Sequence, residues 1–356
     1  SWRNLAAGLF RALQRSSQPS SSRNLPKCWI PKKLANPITY QDHAVDVLAQ
    51  VATYVRTGQR FVLVTSVDIK GGSARDLGSL AVVNDTGEMT GYMSNGCIDQ
   101  DILLQALACL QSGSARLLRY GDGSPFHDLT LPCGGALSVW IDPAPDKAAL
   151  VAACNALLAR APASLTFHPK ATEAVLAPIT IAYQPKVALT LAGRGAVFRA
   201  TAKVAHAIGF DVAGFSPDIH DLAAITAYCK DAPTHVTSQR NIVTLDLDKT
   251  SGLLTLFHDH DWEPAFLVAA LATTAGFVGA LGSQRTHTAR LAQLADMGVS
   301  DWDQKRIKGP IGLVPSLRNA DLIAISALAE IAQAFAYEQQ LVVDVQQAYQ
   351  TAQLSF

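Results

Sequence analysis

The stretch KVALTLAGRGAVFRATAKVAHAIGFDVAGFS, residues 186–216, decides how this chain folds. It opens on a short apolar run at 187–191, of strand length and character. The turn Gly193-Arg194-Gly195 follows, and then a helical period over 196–208. A second apolar run at 211–215 returns as a strand. Strand, glycine turn, helix and strand in that order make a βαβ unit with parallel strands and a right-handed crossover.

Towards the C-terminus the alternation goes on. Helices are expected at 222–229 and 263–272, and strands at 242–245, 253–257 and 276–281. A last helix covers 321–335. The fold class is therefore α/β, with a Rossmann-like parallel-sheet domain over 186–340 and a C-terminal extension at 341–356. The long uncharged run at 264–284 is no membrane span, because Thr273, Thr274, Gly276, Gly279 and Gly282 divide it into a helix and a strand.

Towards the N-terminus the pattern changes. A helix at 43–57 precedes strands at 60–68 and 77–84, a helix at 98–111, and strands at 116–120 and 136–141. These predict a small α+β domain at 41–145. Residues 146–185 read as a linker region, a helix at 147–160 followed by a connector with Pro162, Pro169, Pro178 and Pro185. Residues 1–40 read as an arm outside the fold, with a composition like that of a transit peptide. The first 41 residues hold seven Lys/Arg and no acid.

Two domains suit 356 residues. With 49% hydrophobic and 16% charged residues the chain has the material for a buried core. Basic and acidic residues balance at 29 each, so no global field draws in nucleic acid or an anionic membrane. Six scattered cysteines without a CxxC pair argue against a zinc ribbon, and for reduced thiols in the cytoplasm.

Five places carry chemistry. Cys97 follows Asn95-Gly96 at a helix start, where amides and the helix dipole favour a thiolate. Cys133, with Gly134 and Gly135, lies in a loop whose amides are free to surround sulfur or an anion. Cys109 and Cys154, inside helices, fit the usual reading of a buried thiol. In the second half, Gly193 and Gly195 open the phosphate-binding position of a βα turn, although Phe198 holds the fingerprint's third glycine position and Ser216 ends the next strand without an acid. A structural turn and an NAD(P) site both remain open there. His258-Asp259-His260 follows a strand, as polar residues at the carboxyl edge of a parallel sheet do. Gly282, Ser283 and Arg285 follow another strand and suit an anion. No GxSxG, HExxH or P-loop occurs, so the chain carries no obvious catalytic set of its own.

The motifs run in a familiar order. Gly96-Cys97 is followed by Cys133-Gly134-Gly135, Gly193-Arg194-Gly195 and His258-Asp259-His260. Then come Val278-Gly279-Ala280-Leu281-Gly282-Ser283, Pro310-Ile311-Gly312-Leu313 and Ala324-Ile325-Ser326-Ala327-Leu328-Ala329-Glu330. Along residues 60–331 this resembles the XdhC/CoxI family, with the last three blocks the most specific. The resemblance implies a cysteine-bearing domain followed by a Rossmann domain. It implies a maturation chaperone that binds molybdenum cofactor, as molybdopterin or its dinucleotide form, assists its sulfuration and delivers it to a xanthine dehydrogenase-type apo hydroxylase. A cysteine desulfurase as second partner and a homodimer go with that role. Cys97 and Cys133 become candidate molybdenum or sulfur-transfer ligands. The family's Ser-Gly-Gly-Cys reads Ser94-Asn95-Gly96-Cys97 here, with Asp99 for its Glu and Pro132 for the Gly before the second cysteine. Leu80 and Ala81 stand where the family has a basic residue and Met, Ala196 where it has His, and Ser216 where it has an acid. The competing readings are an NAD(P)-dependent oxidoreductase on the same Rossmann half and an interaction protein without cofactor.

Overall fold

A computed structural model describes residues 37–73, 75–121, 134–169, 177–239, 244–258 and 261–353, with side chains through residue 336. The expected arm at 1–40 lies outside the described residues except for its last four.

The first sheet is built from β1 (Ile38–Thr39), β2 (Phe61–Lys70), β3 (Leu80–Asn84), β4 (Met89–Gly91), β5 (Arg116–Gly121) and β6 (Ala136–Asp142). Their order is β1-β4-β3-β2-β6-β5, antiparallel apart from the β1–β4 pair. Helices cover both faces, which is why β2 reads as a continuous apolar run rather than an alternating one. Val62 and Val64 point into one core with Ile102 and Ala106 of α2 (Asp99–Ser112). Phe61 and Leu63 point into the other core, with Leu48 and Val51 of α1 (Ala44–Thr57).

That second core also takes in the segment expected to be a linker. α3 (Lys147–Leu158) contributes Leu150, Cys154 and Leu157, and a hairpin of β7 (Ala163–Phe167) and β8 (Ile179–Tyr183) contributes Leu165 and Ile181. The connector's prolines bound these strands instead of breaking them. Pro162 and Pro169 flank β7, while Pro178 and Pro185 flank β8, so no ladder amide is lost.

The second sheet holds β9 (Ala188–Gly193), β10 (Asp211–Ser216), β11 (Thr234–His235), β12 (Ser251–Leu256), β13 (Phe277–Ala280) and β14 (Ile307–Lys308). All pairs are parallel, in the order β11-β10-β9-β12-β13-β14. Counted from its own first strand this is 3-2-1-4-5-6, the doubly wound order, with its switch point between β9 and β12. α4 (Gly195–Ala207) and α9 (Ala320–Gln353) cover one face, meeting Leu189, Leu191 and Leu254. α6 (Glu263–Leu271) and α7 (Gln284–Asp296) cover the other, meeting Leu253 and Val278. α5 (Ile219–Ile225) and the one-turn helix α8 (Asp301–Gln304) complete the domain.

Half of the strand expected at 242–245 lies outside the described residues, and 244–248 form no strand. The last helix does not stop at 335 but runs to Gln353, through most of the expected extension. α7 is absent from the sequence reading because QRTHTARLAQLAD is too polar to show an apolar stripe.

Arg160 ties the two halves together. Its guanidinium donates to Asp248 Oδ2 at 2.7 Å and Oδ1 at 2.9 Å, and to the Lys186 carbonyl at 2.7 Å. Burial opposes charge on Asp248, but hydrogen bonds from Arg160, Thr250 and Ser251 outweigh it and hold the carboxyl below the usual carboxylate range.

Candidate functional site

The Cys97 loop is organised by the carboxylate of Asp99, the residue that stands for the family's Glu. Asp99, fully buried, accepts from the Met93 amide at 2.8 Å, and from the Ser94 amide, the Ser94 hydroxyl and the Gly96 amide at 2.9 Å each. These four bonds satisfy donors that the turn into α2 leaves open, much as an N-cap side chain does. Gly96 takes φ 95°, which favours glycine. Cys97 is left exposed on this fixed turn, whereas Cys109 and Cys154 are buried and Cys229 is half-buried. Burial pushes the Cys229 thiol up to about 11 and raises those of Cys109 and Cys154.

Cys133 lies outside the described residues. The turn that follows it is described. Gly135 lies so close to the Gly72 carbonyl that an added Cβ would come within 2.2 Å of the oxygen. β4 runs parallel to β2, whose last residue Lys70 pairs with Ala136, so the Cys97 loop and the Gly134-Gly135 turn leave the same edge of the first sheet.

The other candidates gather at the carboxyl edge of the second sheet. Register sets Gly193 opposite Leu256 and Thr255 opposite Ala280, so three turns meet at the switch point. Gly193 is needed for packing, since a Cβ there would stand 2.7 Å from Leu256 Cβ. Gly195 takes φ 83°, and its amide, which a nucleotide phosphate would use, donates to Asp221 Oδ2 at 2.7 Å. Asp221 is buried, and its other oxygen accepts from Arg199. Phe198, at the fingerprint's third glycine position, is fully buried in the core. Ser216 accepts from the Asp218 amide at 3.1 Å and closes a local turn. His258 is exposed beside Gly193-Arg194-Gly195, while Asp259 and His260 lie outside the described residues. Ser283 caps α7 by accepting from the Thr286 amide, Gly282 precedes it, and Arg285 is exposed in the first turn.

Among the described residues the two groups do not come together as one site. Tyr40 stands against Gly96 and lines a cleft whose opposite wall is Val187 and residues 207–210, at the amino ends of β9 and β10. The Cys97 loop therefore sits by the amino edge of the second sheet, and the glycine turns sit at its carboxyl edge. The six residues of β9 separate these edges by about 20 Å. Among the described residues no three His, Cys, Asp or Glu side chains come together to hold a metal ion. None of the described helices is long and apolar enough to cross a membrane.

Comparison with known proteins places this architecture. Residues 54–121 match the XdhC and CoxI family, and residues 189–331 match the XdhC Rossmann domain. The molybdenum cofactor insertion chaperone PaoD of Escherichia coli K12 is 33% identical over 302 residues, which is 82% of this chain and 88% of that protein. The chain belongs to the XdhC/CoxI family. Protein YqeB of Escherichia coli K12, itself uncharacterised, is 23% identical over 81% of this XdhC/CoxI chain and 46% of its own length. A crystal structure described as a xanthine dehydrogenase from Bacillus halodurans has the same fold, with a TM-score of 0.68 at 20% identity over 83% of this chain and 96% of its own.

Asp221 gives the nicotinamide question a direct test. With the Gly195 amide taken by an internal carboxylate, and with Phe198 and Ser216 in place of the glycine and acid, NADH is expected not to bind at micromolar concentrations. A saturable change in NADH fluorescence in that range would contradict this.

Proposed function

We propose that this protein is a maturation chaperone that carries molybdenum cofactor to an apo hydroxylase. The observation behind the reading is that a member of its family, PaoD, similar along most of both chains, is a molybdenum cofactor insertion chaperone. The exposed Cys97, held on a turn stapled by Asp99, suits a carrier. A carrier needs soft sulfur near the metal of its cargo, in a place from which the cargo can leave. Cys97 and Cys133 serve as the ligands or sulfur-transfer groups in this proposal, with Gly134 and Gly135 beside them.

In its finer form the cargo is molybdopterin or its dinucleotide, sulfurated with help from a cysteine desulfurase and handed to a xanthine dehydrogenase-type enzyme in the cytoplasm. The chaperone works as a homodimer without substrate turnover of its own. The alternative, an NAD(P)-dependent oxidoreductase, is opposed by the carboxylate of Asp221 on the Gly195 amide.

The test is purification from a molybdenum-replete host. Oxidation of the bound material is expected to release a fluorescent pterin in amounts comparable to the protein. Protein that carries no pterin, and takes none up from a cofactor source, would refute the proposal.

A further inference from the structure

We infer that the cleft between the two sheets takes the pterin end of the cargo, with Cys97 at its lip, an inference that rests on the carrier reading above. The cleft has a volume of about 600 Å³, within the range of small-molecule sites. Its walls carry Tyr40, Asp42, Arg75, Asp76 and Lys186.

Arg75 is the residue that points to a ligand. Its guanidinium lies 4.4 Å over the Tyr92 ring. Its terminal nitrogens donate at 2.7 Å to the Asp42 carboxylate and to the Asp42 carbonyl. The side chain is only 11% exposed, and its Nε is buried with no hydrogen-bond partner among the described residues. Each terminal nitrogen keeps a second N–H beyond these bonds, and these are the donors that an occupant of the cleft would meet. Next to it, Asp76 is exposed, and its carboxylate makes no hydrogen bond or ion pair among the described residues. A 2-amino-4-oxopyrimidine ring presents adjacent N–H donors and an oxo acceptor along one edge. That pattern matches a carboxylate beside an N–H donor. Tyr40, 45% exposed at the lip with its hydroxyl against Gly96, offers a face on which a planar ring stacks.

The charges favour such a ring over a phosphate. Arg75 is paired with Asp42 and Lys186 with Asp46 at 2.7 Å, which leaves Asp76 as the unbalanced charge of the wall. His43 adds no cation, because burial and then Lys186 push its imidazole down to about 4. Its Nδ1 accepts from the Val45 amide and the ring bonds to the Pro185 backbone, so it holds the wall in place. The phosphate-bearing part of the cargo then points outward, past Cys97.

Fluorescence titration with free pterin tests the site. Asp76→Asn and Tyr40→Leu both change exposed side chains, and each is expected to weaken pterin binding about tenfold or more at unchanged melting temperature. Arg194→Ala, at the opposite edge of the second sheet, is expected to leave binding within about twofold. Cofactor retained on purification should follow the same order. Wild-type protein that binds pterin and loses it through Arg194→Ala, with both cleft variants unaffected, would overturn the cleft and leave the carrier reading intact. Wild-type protein that neither binds pterin nor retains cofactor would overturn both.

Discussion

Arg290→Ala is expected to lower the free energy of unfolding by about 3–5 kcal/mol, a large part of the total for an ordinary domain. Arg290 and Glu263 form an ion pair with side chains 2% and 1% exposed. The guanidinium donates from Nε to Oε2 at 2.8 Å and from a terminal nitrogen to Oε1 at 3.3 Å. It also donates to the Leu281 carbonyl at 2.6 Å, which fixes the turn leading to Gly282 and Ser283. His287 lies against it, 3.3 Å from Nδ1 to the guanidinium. Burial and then the Arg290 charge push the His287 imidazole down, so it is neutral and accepts there. Removing Arg290 takes the guanidinium away from the buried Glu263 carboxylate, which also accepts from the Thr255 hydroxyl at 3.4 Å. The cost is mainly that of a buried charge that has lost its guanidinium counter-ion. The double variant Arg290→Met with Glu263→Leu removes both charges and is therefore expected to recover most of the loss. Denaturant unfolding of the single and double variants checks this. A loss below about 1 kcal/mol in the single variant would mean that the pair behaves as a solvated one.

Cys97→Ala and Cys133→Ala are expected to reduce activation of a partner apo hydroxylase about tenfold or more while costing little stability. For Cys97 the structural basis is direct. The thiol is exposed, and the turn beneath it is held by Asp99 through backbone amides and Ser94, none of which the substitution touches. The expected stability change is within about 1 kcal/mol. Cys109→Ala is the control with the opposite profile. Cys109 is completely buried in the core beneath α2, so its replacement should cost about 1–2 kcal/mol through packing and leave cofactor transfer unchanged. Equal transfer by the Cys97, Cys133 and Cys109 variants, at matched fractions folded, would remove both thiols from the proposed mechanism.

The sequence by itself determined the fold class and most of the elements. Periods of 2 and 3.6 residues are local properties, and so is a glycine at a sharp turn. The βαβ unit at 186–216, the alternation after it and the exposed turn at Gly96-Cys97 were therefore legible. Even the prolines around β7 and β8 were visible, but a proline bounds a strand or breaks a segment depending on whether a partner pairs with it. Only the tertiary structure decided what the turns do. Gly195 reads as a phosphate-binding position until Asp221, 26 residues away, takes its amide. Arg290 and Glu263, 27 residues apart, carry no sequence signal of the buried pair that they form. The Cys97 loop and the switch-point turns read as one set of motifs, yet strand direction sends them to opposite edges of a sheet. The physical reason is the same each time. A hydrogen bond between distant residues requires only that one donor meet one acceptor, and such a meeting leaves no period in the chain.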